Sequence, residues 1–316
     1  MSFHIVSIDS PRCSLSCKDG QLTCKTSDGE KKLPIEDIAS IIITSFSANI
    51  HSHLFLEAAK HGVALIICED FKPTSLVLPA NRSTDTLLTR ALLSLDEKTK
   101  ARLWQRTIDA KCQNQFALAS HLAPDDPALP ALQQTAVGRK PHKEAICAKL
   151  FWQIFARRQQ ESSFTRDRDA EGLNSLLNYG YAVLLSTVLQ KLFGVGLDPT
   201  FGIGHATRER STPLAYDLME PFRSCVEWRV IQWTEQQAHI YESREEFLFG
   251  ARKWQVTPEF RKWVTEFPLD RIQYLNLAID VRACIEGVVR GFRRAVLRND
   301  VRLYKPWTAR NSKWAG

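Results

Sequence analysis

The hydrophobic period of the chain changes once. Before Leu78, apolar residues alternate with polar ones or run in short blocks; beyond Thr86 they recur every three or four residues. FHIVSID near the start is a short apolar strand, and CSLSCKDGQLTCKT alternates around Asp19-Gly20, a dipeptide suited to a two-residue hairpin turn. IASIIITS, from Ile38 to Ser45, is a β-branched run that predicts a buried strand. HLFLEAAKHG predicts one short helix closed by Gly62, after which VALIICED and SLVLP return to strand character. Between Leu78 and Thr86 the chain turns polar, with Pro79, Asn81, Ser83 and Thr84, and reads as a linker.

The helical part opens with LLTRALLSLDEKTKARLWQRTIDAKCQNQFALASHL. APDDPALPALQQ, broken by three prolines, predicts a loop. KPHKEAICAKLFWQIFARR starts a helix near Pro141, with Ala145, Ala148, Trp152 and Phe155 marking its expected buried side. LNSLLNYGYAVLLSTVLQKLFG is apolar on most sides and belongs in the centre of its domain, so its amides Asn174 and Asn178 need partners. A last helix is expected to run from Leu269 to Asp300. The tail YKPWTARNSKWAG shows no packing pattern and predicts disorder until something binds it.

Composition narrows the class. A chain of 316 residues exceeds what one ordinary core supports, so two domains are expected; 44% hydrophobic and 24% charged residues are ordinary globular values. The 42 Lys and Arg exceed the 35 Asp and Glu by 7, which favours a polyanionic partner. The eight cysteines form no C-x-x-C pair, and Cys13, Cys17 and Cys24 fall at strand alternation rather than at zinc-ligand spacing. With no secretory pattern and no uncharged apolar run near the roughly 18 residues that span a bilayer, the chain is expected in the cytoplasm, away from membranes.

Candidate chemistry concentrates in GIGHATRERSTPLAYDLMEPFR, from Gly202 to Arg223. His205 sits in a glycine-flanked loop, and Asp217 and Glu220, three residues apart, share a helical face. Carboxylates and an imidazole that converge can hold a divalent ion preferring oxygen with some nitrogen. Glu144 on its own reads as a first-turn carboxylate favoured by the helix dipole.

Several stretches together resemble a known family. The β-rich start, the E-x3-AK-aromatic helix at Glu144, LLNYGY, the G-x-x-H loop and DLMEPFR occur in the order found in the CRISPR-associated integrase of spacer acquisition. The nearest likeness is to the form that accompanies type II systems. The resemblance implies an α+β protein, a β-sandwich-like N-terminal domain followed by a larger all-α catalytic domain. The expected divisions are 1–78 for the dimerisation domain, 79–86 for the linker, 87–303 for the catalytic domain and 304–316 for the basic tail. It also implies a DNA endonuclease and integrase that inserts short duplexes beside a leader, using Mg²⁺ or Mn²⁺ held by Glu144, His205 and Glu220. Asp217, Arg223 and Asn178 would stand behind these ligands. The implied assembly is a homodimer, with two dimers flanking a dimer of a small ferredoxin-like partner in a heterohexamer on double-stranded DNA. Two other readings compete, a structure-selective nuclease for branched DNA in repair and a non-catalytic DNA-binding subunit. Gly204, where relatives carry bulkier residues, is expected to loosen the His205 loop. Arg290, Arg293, Arg294 and Arg298 form either a solvated basic face or a phosphate-binding one.

Overall fold

Six consecutive buried residues, Ile38–Ile43, form the strand on which the two halves of the chain meet. The computed structural model describes residues 4–77, 85–139, 141–161, 163–205, 212–242 and 254–309. The first half comprises β1 (His4–Ile8), β2 (Ser14–Lys18), β3 (Gln21–Thr26), β4 (Gly29–Pro34), β5 (Ile38–Ile43) and β6 (Asn49–Ile50). Helix α1 (Ser52–Lys60), β7 (Ala64–Glu69) and β8 (Lys72–Val77) complete it. One sheet has the order β1-β5-β7-β8 and the other β4-β3-β2-β6. The β2–β3 hairpin pairs Lys18 with Gln21. Asp19 and Gly20 between them both take positive φ, 52° and 72°, as a tight mirror-image turn requires.

Successive strand residues point to opposite faces, so a strand buried throughout must have a layer on each side. Ile41, Ile43 and Leu65 pack with Leu15, Leu22 and Leu54 between the two sheets and α1. Ile42, Ile66 and Cys68 face the other way and join the core of the helical half. The β-rich region is therefore a sandwich, and one of its sheets is also a wall of the second core. The linker expected at 79–86 lies outside the described residues up to 84.

The helical half contains α2 (Thr86–Leu93), α3 (Glu97–Leu122), α4 (Leu129–Val137), α5 (Lys143–Arg158) and α6 (Leu173–Gly194). After these come α7 (Pro213–Met219), α8 (Arg223–Glu242) and α9 (Pro258–Thr265), then β9 (Arg271–Tyr274), β10 (Leu277–Asp280) and α10 (Val281–Arg298). From Leu173 to Leu189 every residue of α6 except Ser175 is buried, as its all-round apolar pattern predicts. Tyr179 donates a hydrogen bond of 2.8 Å from this helix to the Ser7 hydroxyl of β1.

Four expectations change. The proline-rich stretch is helix α4 from Leu129, because Pro130 falls in the first turn, where no backbone N–H is needed. On α5 the buried face is Cys147, Phe151, Ile154 and Phe155; Ala145 is exposed and Ala148 and Trp152 are half-buried. The long final helix starts only at Val281, because Leu275 and Asn276 adopt φ 48° and 67° and close the β9–β10 hairpin; the helical half is not purely α. Residues 301–309 are packed rather than loose, with Tyr304 and Trp307 at 0% and 2% exposure. Arg310, Lys313 and Trp314 of the expected tail, and residues 243–253, lie outside the described residues.

Candidate metal centre

Trp104, Thr107, Lys111 and Asn114 fall three and four residues apart along α3, so they share one face. That face meets the chemistry-bearing segments of the helical half. Lys111 Nζ lies 2.6 Å from Glu144 Oε1 on α5 and 2.7 Å from Glu220 Oε2. Glu220 sits in a single 3-10 turn, Glu220–Phe222, between α7 and α8. Pro221 produces this break, since it cannot donate into a continuous helix. The other Glu220 oxygen, Oε1, accepts from Arg223 at 2.9 Å.

Glu220 is 3% exposed. Burial alone would push its carboxyl upward, but the Arg223 and Lys111 cations outweigh it and hold the pKa down at about 2. Burial likewise pulls the Lys111 ammonium down, yet Glu220 and Glu144 leave it above the ordinary lysine value. The Lys111 approach to Glu220 Oε2 is an ion pair without hydrogen-bond alignment, so this buried oxygen has charge compensation but no directed donor.

The His205 loop is held from behind by Asp217, which is fully buried. Asp217 Oδ2 accepts from the backbone N–H groups of Ile203 and Gly204 at 2.5 and 3.0 Å. Its Oδ1 accepts from the His205 N–H at 2.9 Å and meets His205 Nδ1 at 2.7 Å. With Nδ1 turned to Asp217, the ring is held so that Nε2 points away from the carboxylate. Gly202 and Gly204 are required here by space. A Cβ on Gly202 would stand 2.7 Å from the His205 carbonyl and 2.9 Å from Asp217 Oδ2, and one on Gly204 would stand 2.3 Å from the Trp104 ring. Trp104 fills the room the missing Cβ leaves and meets the His205 ring edge-on, 5.5 Å between centroids. The expectation of a loosened loop is therefore corrected: Gly204 lets an indole close over a loop that Asp217 already clamps.

Arg223 spans two layers. Its guanidinium pairs with Glu220 and lies over the Tyr181 ring at 4.6 Å, while Tyr181 donates to Glu227 at 2.8 Å. Arg166 approaches the Tyr181 ring at 5.5 Å and donates to Asn174 and Asn178 at 2.8 and 2.7 Å. Asn178 thus reaches the centre only through Arg166, Tyr181 and Arg223, and its own contacts clamp the loop at Arg166–Arg168.

The fold brings Glu144 and Glu220 together at one cation position and sets Asp217 behind His205. It does not close Glu144, His205 and Glu220 into a single cluster, since no three His, Cys, Asp or Glu among the described residues stand within ligating range of one point. Lys111 and Trp104 are seven residues, about 10 Å, apart along α3, so the carboxylate pair and the imidazole meet that helix two turns apart. Of the basic residues on α10, Arg293 is tied to Asp85 and the Val195 carbonyl, and Arg290 to Glu286. Arg294 and Arg298 are exposed.

A profile of the family described as CRISPR associated protein Cas1 matches residues 6–249, more than half of the chain. The chain belongs to that family. It is 29% identical over 298 residues to a CRISPR-associated endonuclease Cas1 from Neisseria meningitidis serogroup C, covering 92% of this chain and 91% of that one. A casposase bound to integration product shares the fold with a TM-score of 0.69 and 21% identity, over 95% of this chain and 91% of that one. A Cas6-RT-Cas1–Cas2 complex does so with a TM-score of 0.72 and 13% identity, over 97% of this chain and 36% of that chain. The α+β architecture expected from the motifs is the Cas1 architecture.

Sequence reasoning missed Lys111, Trp104 and Asn114. One signal was available for Lys111. It continues the stripe Leu103, Thr107, Asn114 and Leu118 on α3, and lysine on a buried stripe needs a carboxylate partner.

Proposed function

We propose that this chain is a metal-dependent DNA endonuclease and integrase that inserts short duplexes into a CRISPR repeat array. In this reading a DNA 3′-hydroxyl attacks a target phosphodiester, and the departing strand leaves with its own 3′-hydroxyl. One observation carries it: carboxylates from two distant segments, Glu144 and Glu220, converge on a single cation position, the Lys111 ammonium, on the α3 face that also meets the His205 loop through Trp104.

The donor set fits a divalent ion. The buried Glu220 Oε2 has no directed donor, and the pair already holds a cation, the Lys111 ammonium. Glu144 and Glu220 would hold Mg²⁺ or Mn²⁺ in place of the Lys111 ammonium, and His205, which stands apart from them here, would have to approach to serve as third ligand, the imidazole favouring Mn²⁺. When bound, such an ion polarises a phosphate oxygen and stabilises charge on the leaving oxygen. The chain's own residues prepare the place. Arg223 and Lys111 keep Glu220 ionised although it is buried. Asp217 fixes the orientation of the histidine ring, a role typical of groups behind ligands. An open groove of about 580 Å³, lined by Trp104, Arg139, His142 and Glu144, gives a strand access to the carboxylate side.

The curated relative is named an endonuclease, and the casposase with this fold is bound to integration product, which supports nuclease and integrase chemistry. A Cas6-RT-Cas1–Cas2 complex of the same fold supports a Cas2-type partner, read here as a small ferredoxin-like dimer. With that partner the chain would act as a homodimer, through its β-rich region, within a heterohexamer in the cytoplasm. No helix among the described residues is long and apolar enough to cross a membrane. The test is a strand-joining assay on repeat DNA with Mn²⁺, with and without the partner dimer. Glu144→Ala, His205→Ala and Glu220→Ala should each abolish joining with the fold intact, Glu220→Ala at a lower melting temperature because Lys111 and Arg223 lose their buried carboxylate. Near-normal joining in one of them removes that residue from the site. Hydrolysis of branched DNA without joining would instead favour the repair-nuclease reading.

A further inference from the structure

The segment expected to be a loose tail is built into the centre. Asn114, buried at 0% exposure and one turn beyond Lys111 on α3, uses every polar atom of its amide there. Its Nδ2 donates to the Pro221 carbonyl at 2.6 Å and to the Trp307 carbonyl at 3.1 Å, while its Oδ1 accepts from the Ala309 N–H at 2.7 Å. Pro221 follows Glu220 directly, so the same amide grips the carboxylate turn and the C-terminal segment. Trp307 stacks on Phe222 with centroids 5.6 Å apart and planes 10° from parallel. Its Nε1 donates to the Gln273 carbonyl of β9 at 3.0 Å, which anchors the indole at its far side. Two turns back along α3 from Asn114, Tyr304 shares a 2.9 Å hydrogen bond with Thr107, and Arg106 donates to the Tyr304 carbonyl at 2.8 Å.

The Glu220–Phe222 turn needs this support. Its proline has no N–H to give to the Asp217 carbonyl, so the i to i−4 ladder is broken where α7 meets α8, and the buried Pro221 carbonyl accepts from Asn114. A buried carbonyl without a donor is costly, and Asn114 supplies the donor. Pro221 and Phe222, the two residues after Glu220, are held by Asn114 and Trp307, and the strap from Tyr304 to Ala309 holds these two in turn.

We propose that residues 304–309 are a positioning strap for Glu220, with Asn114 and Trp307 as its positioning residues. The inference rests on the reading of Glu220 as a metal ligand. The strap sets where the Glu220 carboxylate stands relative to Glu144, so that its loss weakens divalent-ion binding and turnover while DNA binding stays. Groups that orient a ligand typically change affinity or activity by about 10- to 100-fold.

The experiment compares the full chain with Trp307→Ala, Trp307→Phe, Asn114→Ser and Glu220→Ala. Mn²⁺ binding is measured by titration calorimetry without DNA, and kcat and KM by strand joining on repeat DNA. Trp307→Ala and Asn114→Ser should bind Mn²⁺ about tenfold or more weakly and lose kcat by a similar factor, with KM for DNA within about twofold. Trp307→Phe, which keeps the stack on Phe222 and loses only the bond to Gln273, should recover most of both. If Trp307→Ala does not fold, Asn114→Ser, which leaves the aromatic stack in place, decides on the same readouts. Parental Mn²⁺ affinity and kcat in the folded Asn114→Ser and Trp307→Ala proteins, with only a lower melting temperature, would overturn the strap and leave the site reading standing. Parental Mn²⁺ binding by Glu220→Ala would overturn the site reading, and the strap's role with it.

Discussion

Adding one methyl group at Gly204 tests whether the histidine loop is clamped as described. In Gly204→Ala the new Cβ would lie 2.3, 2.4 and 2.6 Å from the Trp104 ring atoms Cδ2, Cε3 and Cε2. Carbon atoms in contact sit about 3.5–4.0 Å apart, so the indole or the loop must move by about an ångström or more. The loop cannot easily retreat, because Asp217 binds the N–H groups of residues 203, 204 and 205. The indole cannot slide freely either, because it packs edge-on against His205. Overpacking of this kind costs about 1–3 kcal/mol. For a chain of this length that is a fall in melting temperature of about 2–6 °C, at about 2 °C per kcal/mol. The assay is a double-mutant cycle by urea unfolding, with Trp104→Ala as the second change. Trp104→Ala alone should destabilise through lost packing, but Gly204→Ala made on that background should cost nearly nothing. The coupling should therefore equal most of the 1–3 kcal/mol. A cost for Gly204→Ala that is the same with and without Trp104, within about 0.5 kcal/mol, would refute the clash. Under the proposed function, moving the His205 ring by this distance should also lower strand joining by up to about 100-fold.

Further outcomes follow from the same contacts. Asp217→Asn turns an acceptor of three backbone N–H groups into a side chain with its own donors facing them, and should destabilise by about 2 kcal/mol or more in urea unfolding. Unchanged stability would detach Asp217 from the loop. Arg294 and Arg298 are exposed, as is Arg290, which pairs with Glu286, so replacing Arg294 and Arg298 by Ala should flatten the slope of log affinity for duplex DNA against log salt by about two; an unchanged slope excludes them from phosphate contact. Arg293→Ala should instead lower the melting temperature, because it breaks the tie to Asp85 and Val195, and a change in salt slope alone would contradict that. Asp270 has its carboxyl raised to about 6 by burial, which Arg229 only partly offsets. A folded-state pKa above the unfolded value means stability is lost as pH rises through about 6, so Asp270→Asn should flatten the fall in melting temperature between pH 4 and pH 7. An identical pH profile would show that Asp270 does not cause it.

The sequence by itself settled the local matters. Period-2 alternation and Asp19-Gly20 specified the hairpin, because turn chemistry and strand pairing act within a few residues. The apolar surround of α6 announced a central helix, and the order of LLNYGY, the G-x-x-H loop and DLMEPFR indicated the family before any coordinates. Errors came where a local rule met a choice made elsewhere. Pro130 looked like a breaker but fell at a helix start, and the pattern after Leu269 read as helix until two left-handed residues turned it into a hairpin. The tertiary structure alone decided that Lys111 joins Glu144 to Glu220, that Trp104 occupies the space over Gly204, and that Asn114 ties Pro221 to Trp307 and Ala309. Each of these joins residues between about thirty and two hundred positions apart, and no periodicity in a single chain encodes which distant partner a buried lysine or amide will find. That partner is fixed by the requirement that buried charges and amides be satisfied once the helices have packed.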